Sequence, residues 1–204
     1  MSIRDENNPG SHGTGVSQEN FLVAPVSHFW ASRLVAIDST WNPKSWSSQL
    51  FERELNEPLA RVRGLFVGNL LVGYLIAHVV FDEAHIVSLG LAPEWRGKGG
   101  GRFLLQDFLR CARLEGINSV TLEVRVSNIA ARALYEGCGF MAAGLRRNYY
   151  SDNGEDGITM RYEVEPRRWR DRSAPEPELC NVQHAESLAN TSPVTVAPHV
   201  QNAR

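Results

Sequence analysis

The sequence predicts a mixed α/β (α+β) domain, a central sheet of about seven strands flanked by about four helices, in the order β-α-α-β-β-β-α-β-α-β-β. Three observations carry this reading. Apolar residues recur with period two over residues 61–67, 70–80 and 119–126, as half-buried strands require. Over residues 102–115 they follow a helical spacing, with Arg102, Gln106, Arg110 and Arg113 forming a polar stripe. Between these patterns lie residues 94–102, Glu-Trp-Arg-Gly-Lys-Gly-Gly-Gly-Arg, a glycine-dense junction from strand to helix.

In chain order, residues 1–18 contain almost nothing that can be buried and read as a disordered tail. The domain is expected over residues 19–165. Residues 21–24 form a short strand, and Phe29, Trp30, Leu34, Val35 and Ile37 place a helix over 26–37. An aromatic loop with Trp41, Pro43 and Trp46 breaks it, and a second helix covers 47–55. Gly68-Asn69 joins the strands at 61–67 and 70–80 as a hairpin turn, and a third strand covers 84–91. After the helix at 102–115 comes the strand at 119–126, where Val120, Leu122 and Val124 alternate with Thr121, Glu123 and Arg125. Ser127-Asn128 then caps a short helix over 129–136, stopped at Gly137. Strands at 139–143 and 158–164, joined by a polar arm, complete the sheet, and residues 166–204 read as a second disordered tail.

The composition sets bounds on function. With 43% hydrophobic residues, 22% charged and a net charge of −2, the 204 residues suit one soluble core and offer no basic face for nucleic acid. No apolar run approaches the roughly 20 residues of a membrane helix, and residues 1–20 have no apolar stretch of the secretory kind. A cytoplasmic protein is the expectation, with no membrane partner. Cys111, Cys138 and Cys180 lack C-x-x-C spacing, so no metal site is indicated.

The glycine junction is suited to anions. Glycines admit positive φ, and the amides that open the next helix have no intrahelical acceptor, so they and the helix dipole attract phosphate. Lys98 is followed by glycine, which excludes a Walker loop, and the spacing breaks the dinucleotide fingerprint.

Arg96-x-x-Gly99-x-Gly101 resembles the pyrophosphate signature of the GCN5-related N-acetyltransferases (GNAT fold). Asp82-Glu83-Ala84, Leu122-Glu123-Val124-Arg125, Ser127-Asn128, Ala133-Leu134-Tyr135-Glu136, Gly139-Phe140, Arg146-Arg147-Asn148-Tyr149-Tyr150 and Glu155-Asp156 are similar to the RimI-type branch, which acetylates the N-terminal alanine of a small-subunit ribosomal protein. The resemblance implies acetyl-CoA as donor, no metal, and direct transfer to a bound amine. It implies a splayed strand edge at Leu89, Gly90 and Leu91 for the pantetheine arm, with Arg96, Gly97, Lys98, Gly99, Gly100, Gly101 and Arg102 around the pyrophosphate. Asn128 is expected either to bond the cofactor or simply to cap its helix. Glu123 is expected as general base and Tyr135 as general acid toward the thiolate. The Trp41–Trp46 loop, Asp38 and residues 146–150 are candidates to line the acceptor groove. Ser88 departs from the pattern, standing where relatives carry asparagine. Other protein N-termini, a small amine, or a non-catalytic acyl-CoA-binding module are the alternatives.

Overall fold

One pair of neighbouring strands runs parallel in an otherwise antiparallel sheet, and that pair decides where the molecule opens. The computed structural model describes residues 21–42 and 44–165; Pro43 and both predicted tails lie outside them. The strands are β1 (Phe21–Pro25), β2 (Ala60–Val67), β3 (Leu70–Val80), β4 (Glu83–Leu91), β5 (Ser119–Arg125), β6 (Met141–Tyr150) and β7 (Glu155–Glu163). The helices are α1 (Ala31–Asp38), α2 (Ser48–Asn56), α3 (Gly100–Leu114) and α4 (Ile129–Glu136). Among the described residues the sheet has seven strands in the order β1-β2-β3-β4-β5-β7-β6. Among the described strands only β4 and β5 pair parallel, a connection that needs a crossover, which α3 supplies.

The predicted architecture is therefore present, with local corrections. Residues 28–30 form a 3-10 turn, so α1 begins later than its apolar spacing suggested. Helix α3 starts at Gly100, inside the glycine junction, because Gly99 takes φ 85° and turns the chain into it. Strand β6 runs to Tyr150, well beyond the predicted end at 143. It lies at the sheet edge with nearly all its residues exposed, so neither face imposed an apolar alternation on the sequence.

Side-chain alternation divides the interior into two layers. Leu75, Ala77, Ile86, Leu122 and Val124 face α3, where Leu104, Leu105 and Phe108 bury against them. On the other side, Leu71, Tyr74 and Ile76 face α1 and α2 and meet Leu34, Ile37 and Phe51. The ion pair Arg63–Asp107, at 2.8 Å and largely buried, ties β2 to α3.

The α1/α2 layer holds a carboxylate with no exposed surface, Asp38. Its oxygens accept from the Tyr74 hydroxyl (2.6 Å), the Trp46 amide (2.8 Å) and Asn42 Nδ2 (3.1 Å), so one buried charge organises the loop after α1. Burial, with the Asp38 bond second, pushes the Tyr74 phenol far above its usual range, and the hydroxyl stays a donor. A Tyr74→Phe variant is expected to lose about 2 kcal/mol of stability in chemical denaturation, since a buried carboxylate loses a donor. A loss under about 0.5 kcal/mol would show that Asp38 does not depend on it.

Candidate active site

Pairing between β4 and β5 runs from Glu83↔Ser119 to Ile86↔Leu122 and then stops, although both strands continue. Val87 is an extra residue against β3, because Ile76 opposes Ser88 while Ala77 opposes Ile86. Past this bulge the Ala92 amide donates to the Val72 carbonyl at 2.9 Å, which directs even-numbered backbone groups toward β3. By alternation, the N–H and C=O of Leu89 and Leu91 face the widening gap beside β5. Gly90 faces β3 instead. A Cβ there would lie 2.7 Å from Trp41 Nε1 and 2.8 Å from Tyr74 Cε1, so glycine lets the aromatic loop close over β4.

The glycine junction continues this edge. Gly97 (φ 74°) and Gly99 (φ 85°) turn the chain in the left-handed region, with open space where their side chains would be. Phe103 N donates to Gly99 O, so the amides of Gly100, Gly101 and Arg102 precede the first intrahelical bond. Gly100 and Gly101 serve a different need. A Cβ at Gly100 would meet Leu65 at 2.8 Å and one at Gly101 would meet Leu134 at 3.3 Å, so these glycines bring the helix end down onto β2 and α4. The resulting array of amides and open space fits a pyrophosphate group.

The basic side chains around the junction are partly committed. Arg96 donates from Nε to the Leu91 carbonyl (3.1 Å) and from a terminal nitrogen to Thr40 Oγ1 (2.5 Å). Lys98 Nζ sits 4.7 Å from the Trp95 ring centroid. Arg102 donates to the Gly137 carbonyl at 2.7 Å, holding the C-terminal end of α4 against α3. Asn128 caps α4, its side-chain oxygen accepting from the Ala131 amide at 3.1 Å.

Glu123 stands on β5 just past the last pair with β4, its side chain only 9% exposed. Oε1 accepts from Arg146 at 3.0 Å and Oε2 lies 3.2 Å from His85 Nε2. His85 Nδ1 in turn lies 3.1 Å from Thr121 Oγ1. Tyr135 is 8% exposed on α4, its ring 5.8 Å from that of Phe140. Burial first, and the Tyr150 phenol second, push its pKa well above the usual tyrosine range. Tyr150 is the connecting residue, bearing on the Tyr135 phenol on one side and feeling the Glu123 charge on the other. Its pKa is pushed up to about 12, by burial foremost and by Tyr149, Glu123 and Glu155, against Arg125.

A hairpin roof completes the site. Arg125, next to Val124 on β5, bonds both oxygens of Asp152 at 2.8 Å and Glu155 at 3.2 Å, and lies 3.9 Å over the Tyr150 ring. The Ser127 hydrogen bonds and Arg125 hold the Glu155 carboxyl down at about 2. Across the opening, Lys44 Nζ reaches Ser151 Oγ at 3.4 Å, joining the Trp41–Trp46 loop to the hairpin.

The gap, the glycine junction and Glu123 thus lie along one edge, Tyr150 links Glu123 to Tyr135, and Lys44 joins the loop to the hairpin at Ser151. His85, Thr121, Tyr74 and Arg125 were not expected at the site. The signal for Arg125 was its acidic complement at Asp152 and Glu155, and none in the local sequence marked His85. Among the described residues no group of three or more His, Cys, Asp or Glu is arranged to hold a metal, and no helix is long and apolar enough to cross a membrane.

Known proteins share this arrangement of chain. Residues 29–140 match the Acetyltransferase (GNAT) family. The chain is 38% identical over 122 residues to the ribosomal protein bS18-alanine N-acetyltransferase of Escherichia coli strain K12, covering 59% of this chain and 78% of that protein. It is 41% identical over 120 residues to the N-alpha-acetyltransferase RimI of Mycobacterium tuberculosis, covering 57% and 74%. The crystal structure of the ribosomal-protein-S18-alanine N-acetyltransferase from Escherichia coli superposes with a TM-score of 0.67 at 28% identity, covering 73% of this chain and 97% of that one. The open strand edge, the helix start whose first amides precede any intrahelical bond, and these likenesses agree: the chain belongs to the GNAT acetyltransferase family and is an acetyl-CoA-dependent N-acetyltransferase.

Proposed function

We propose that this enzyme acetylates the N-terminal α-amine of a protein, with the N-terminal alanine of a small-subunit ribosomal protein as its acceptor. The observation that carries the reading is Glu123, a nearly buried carboxylate on β5 just past its last pair with β4. Trp41 and Tyr149 are 43% and 41% exposed, aromatic surface that suits contact with an extended chain terminus. The Escherichia coli relative is named for alanine N-acetylation of ribosomal protein bS18, and the Mycobacterium tuberculosis relative for N-alpha-acetylation.

Leu89 and Leu91 offer backbone groups to the pantetheine arm, and residues 97–102 offer amides to the pyrophosphate. Arg96 and Lys98 supply positive charge beside them. The bound donor supplies an activated acetyl group on a thioester. Glu123 draws the acceptor ammonium into the groove and removes its proton. A carboxylate has about four acceptor positions, and Arg146 and His85 occupy two, so capacity for the ammonium remains. An α-amine with a reference pKa of about 7.7–8.0 needs only modest help from a base near neutral pH. Tyr135, kept protonated by burial, donates to the departing thiolate, and Tyr150 beside it helps keep water from the phenol.

Incubation with acetyl-CoA and peptides differing at residue one, read by mass spectrometry, is expected to show acetylation favouring N-terminal alanine. Transfer to free polyamines alone would overturn the reading. Tyr135→Phe is expected to lower kcat about 100-fold while changing acetyl-CoA affinity less than about threefold. Because burial raises the Tyr135 pKa, the wild-type rate should show no decline from phenol ionisation up to about pH 10. For Glu123→Gln, kcat/KM should fall and the loss should shrink once the acceptor amine is itself neutral; a loss that persists in full above the amine's range would remove the base role.

A further inference from the structure

The cross-strand register puts a row of polar side chains on the sheet face that carries Glu123. His78 of β3 opposes His85 of β4, His85 opposes Thr121 of β5, and Thr121 opposes Arg161 of β7. Partners opposite one another share a face, and so do residues two apart on a strand, which adds Glu83, Glu123 and Glu163. Each charge in this row has a partner. His78 is bound by Glu54 of α2, Arg161 lies 3.8 Å from Glu83 and also bonds Glu163, and Arg146 of β6 takes one oxygen of Glu123. His85 is left with Thr121 on one ring nitrogen and the second oxygen of Glu123 on the other.

Thr121 makes this arrangement workable in two charge states. Its Oγ1 lies 3.1 Å from His85 Nδ1 and 3.3 Å from the Ala84 carbonyl oxygen. When the imidazole is neutral, the hydroxyl donates to Nδ1 and Nε2–H donates to Glu123. When the imidazole is protonated, Nδ1–H donates to Oγ1, the hydroxyl turns to Ala84, and Nε2–H still donates to Glu123. The Nε2–H bond to Glu123 survives the titration, and only the charge behind it changes. The His85 side chain is 43% exposed, so its proton exchanges with solvent.

We propose that His85 is a positioning residue for acetyl transfer, holding Glu123 through Nε2–H and setting by its own charge how readily that carboxylate accepts the acceptor's proton. This rests on Glu123 acting as base. With His85 charged, Glu123 lies between two cations, Arg146 and imidazolium, and is a poor base. Loss of the imidazole proton removes one cation without releasing the carboxylate, so the rate rises with pH. The step balances simply. The ammonium gives one proton to Glu123, the N–C bond forms as the C–S bond breaks, and Tyr135 protonates the sulfur and recovers a proton from the acylated nitrogen.

The test is the pH profile of kcat/KM for CoA release with an alanine-initiated peptide. His85→Gln keeps an N–H near the Nε2 position and cannot carry the charge. The wild type is expected to show an inflection in addition to that of the acceptor amine. His85→Gln should lack it, with the ratio of rates at pH 8.5 and pH 6 reduced roughly tenfold. His78→Gln should retain it. An unchanged profile in His85→Gln, or an inflection that disappears in His78→Gln instead, overturns this role and leaves the acetylation of N-termini standing. A wild type that acetylates no peptide overturns both. A readout without turnover is long-range proton–nitrogen NMR of the free enzyme, where neutral His85 should be the Nε2–H tautomer; the Nδ1–H tautomer would overturn the proposal.

Discussion

The structure depends on the separation of two parallel strands. Parallel neighbours require a crossover, and α3 between β4 and β5 brings its N-terminus to the edge where their pairing ends. Helix amides without acceptors and strand amides without partners therefore lie side by side, two consequences of one topological choice. The bulge at Val87 assists, because an extra residue bends β4 just where its pairing with β5 ends. Leu89 and Leu91 can bury their side chains against α3 while offering backbone groups to a ligand, so core and binding edge do not compete.

The two faces of the parting strands carry different duties. Leu122 and Val124 point into the apolar layer under α3, whereas Thr121 and Glu123 point to the opposite face of the sheet. A carboxylate buried there needs donors, and Arg146 and His85 provide them. Asp38 solves the same problem differently. Its donors come from Tyr74 and from the loop after α1, so its charge organises that loop.

Local signals made much of this legible. Helix α4 follows its sequence signals to the residue, because Asn128 supplies a side-chain cap and Gly137 stops the helix. The hairpin between β2 and β3 follows from Gly68-Asn69, where Gly68 takes φ 54°. Strand β6 escaped because an exposed edge leaves no period in its apolar residues. Arg102 reads in sequence as a phosphate ligand and in the structure as the clamp on Gly137, a contact between residues 35 apart that no local pattern encodes. His85 was invisible for a related reason. Its neighbours Thr121 and Glu123 are set by parallel register across a crossover, and a single sequence does not reveal that register.

Strand β6 has a further consequence. It forms the outer edge of the sheet, with Met141 and Leu145 exposed at 69% and 56%, and such an edge invites another chain to add to it. Its ladder with β7 is interrupted twice, between Ala142 and Gly144 and between Arg146 and Tyr150. Asn148 takes φ 51° within the second break, its amide held by Asp156 at 2.8 Å. The same irregularity that lets Tyr150 turn inward and Arg146 reach Glu123 removes the regular spacing a foreign strand would need. Protection of a sheet edge and the placing of Arg146 against Glu123 are thus written in one stretch of backbone, and a variant that straightened β6 to stabilise the sheet would make that edge easier for another strand to pair.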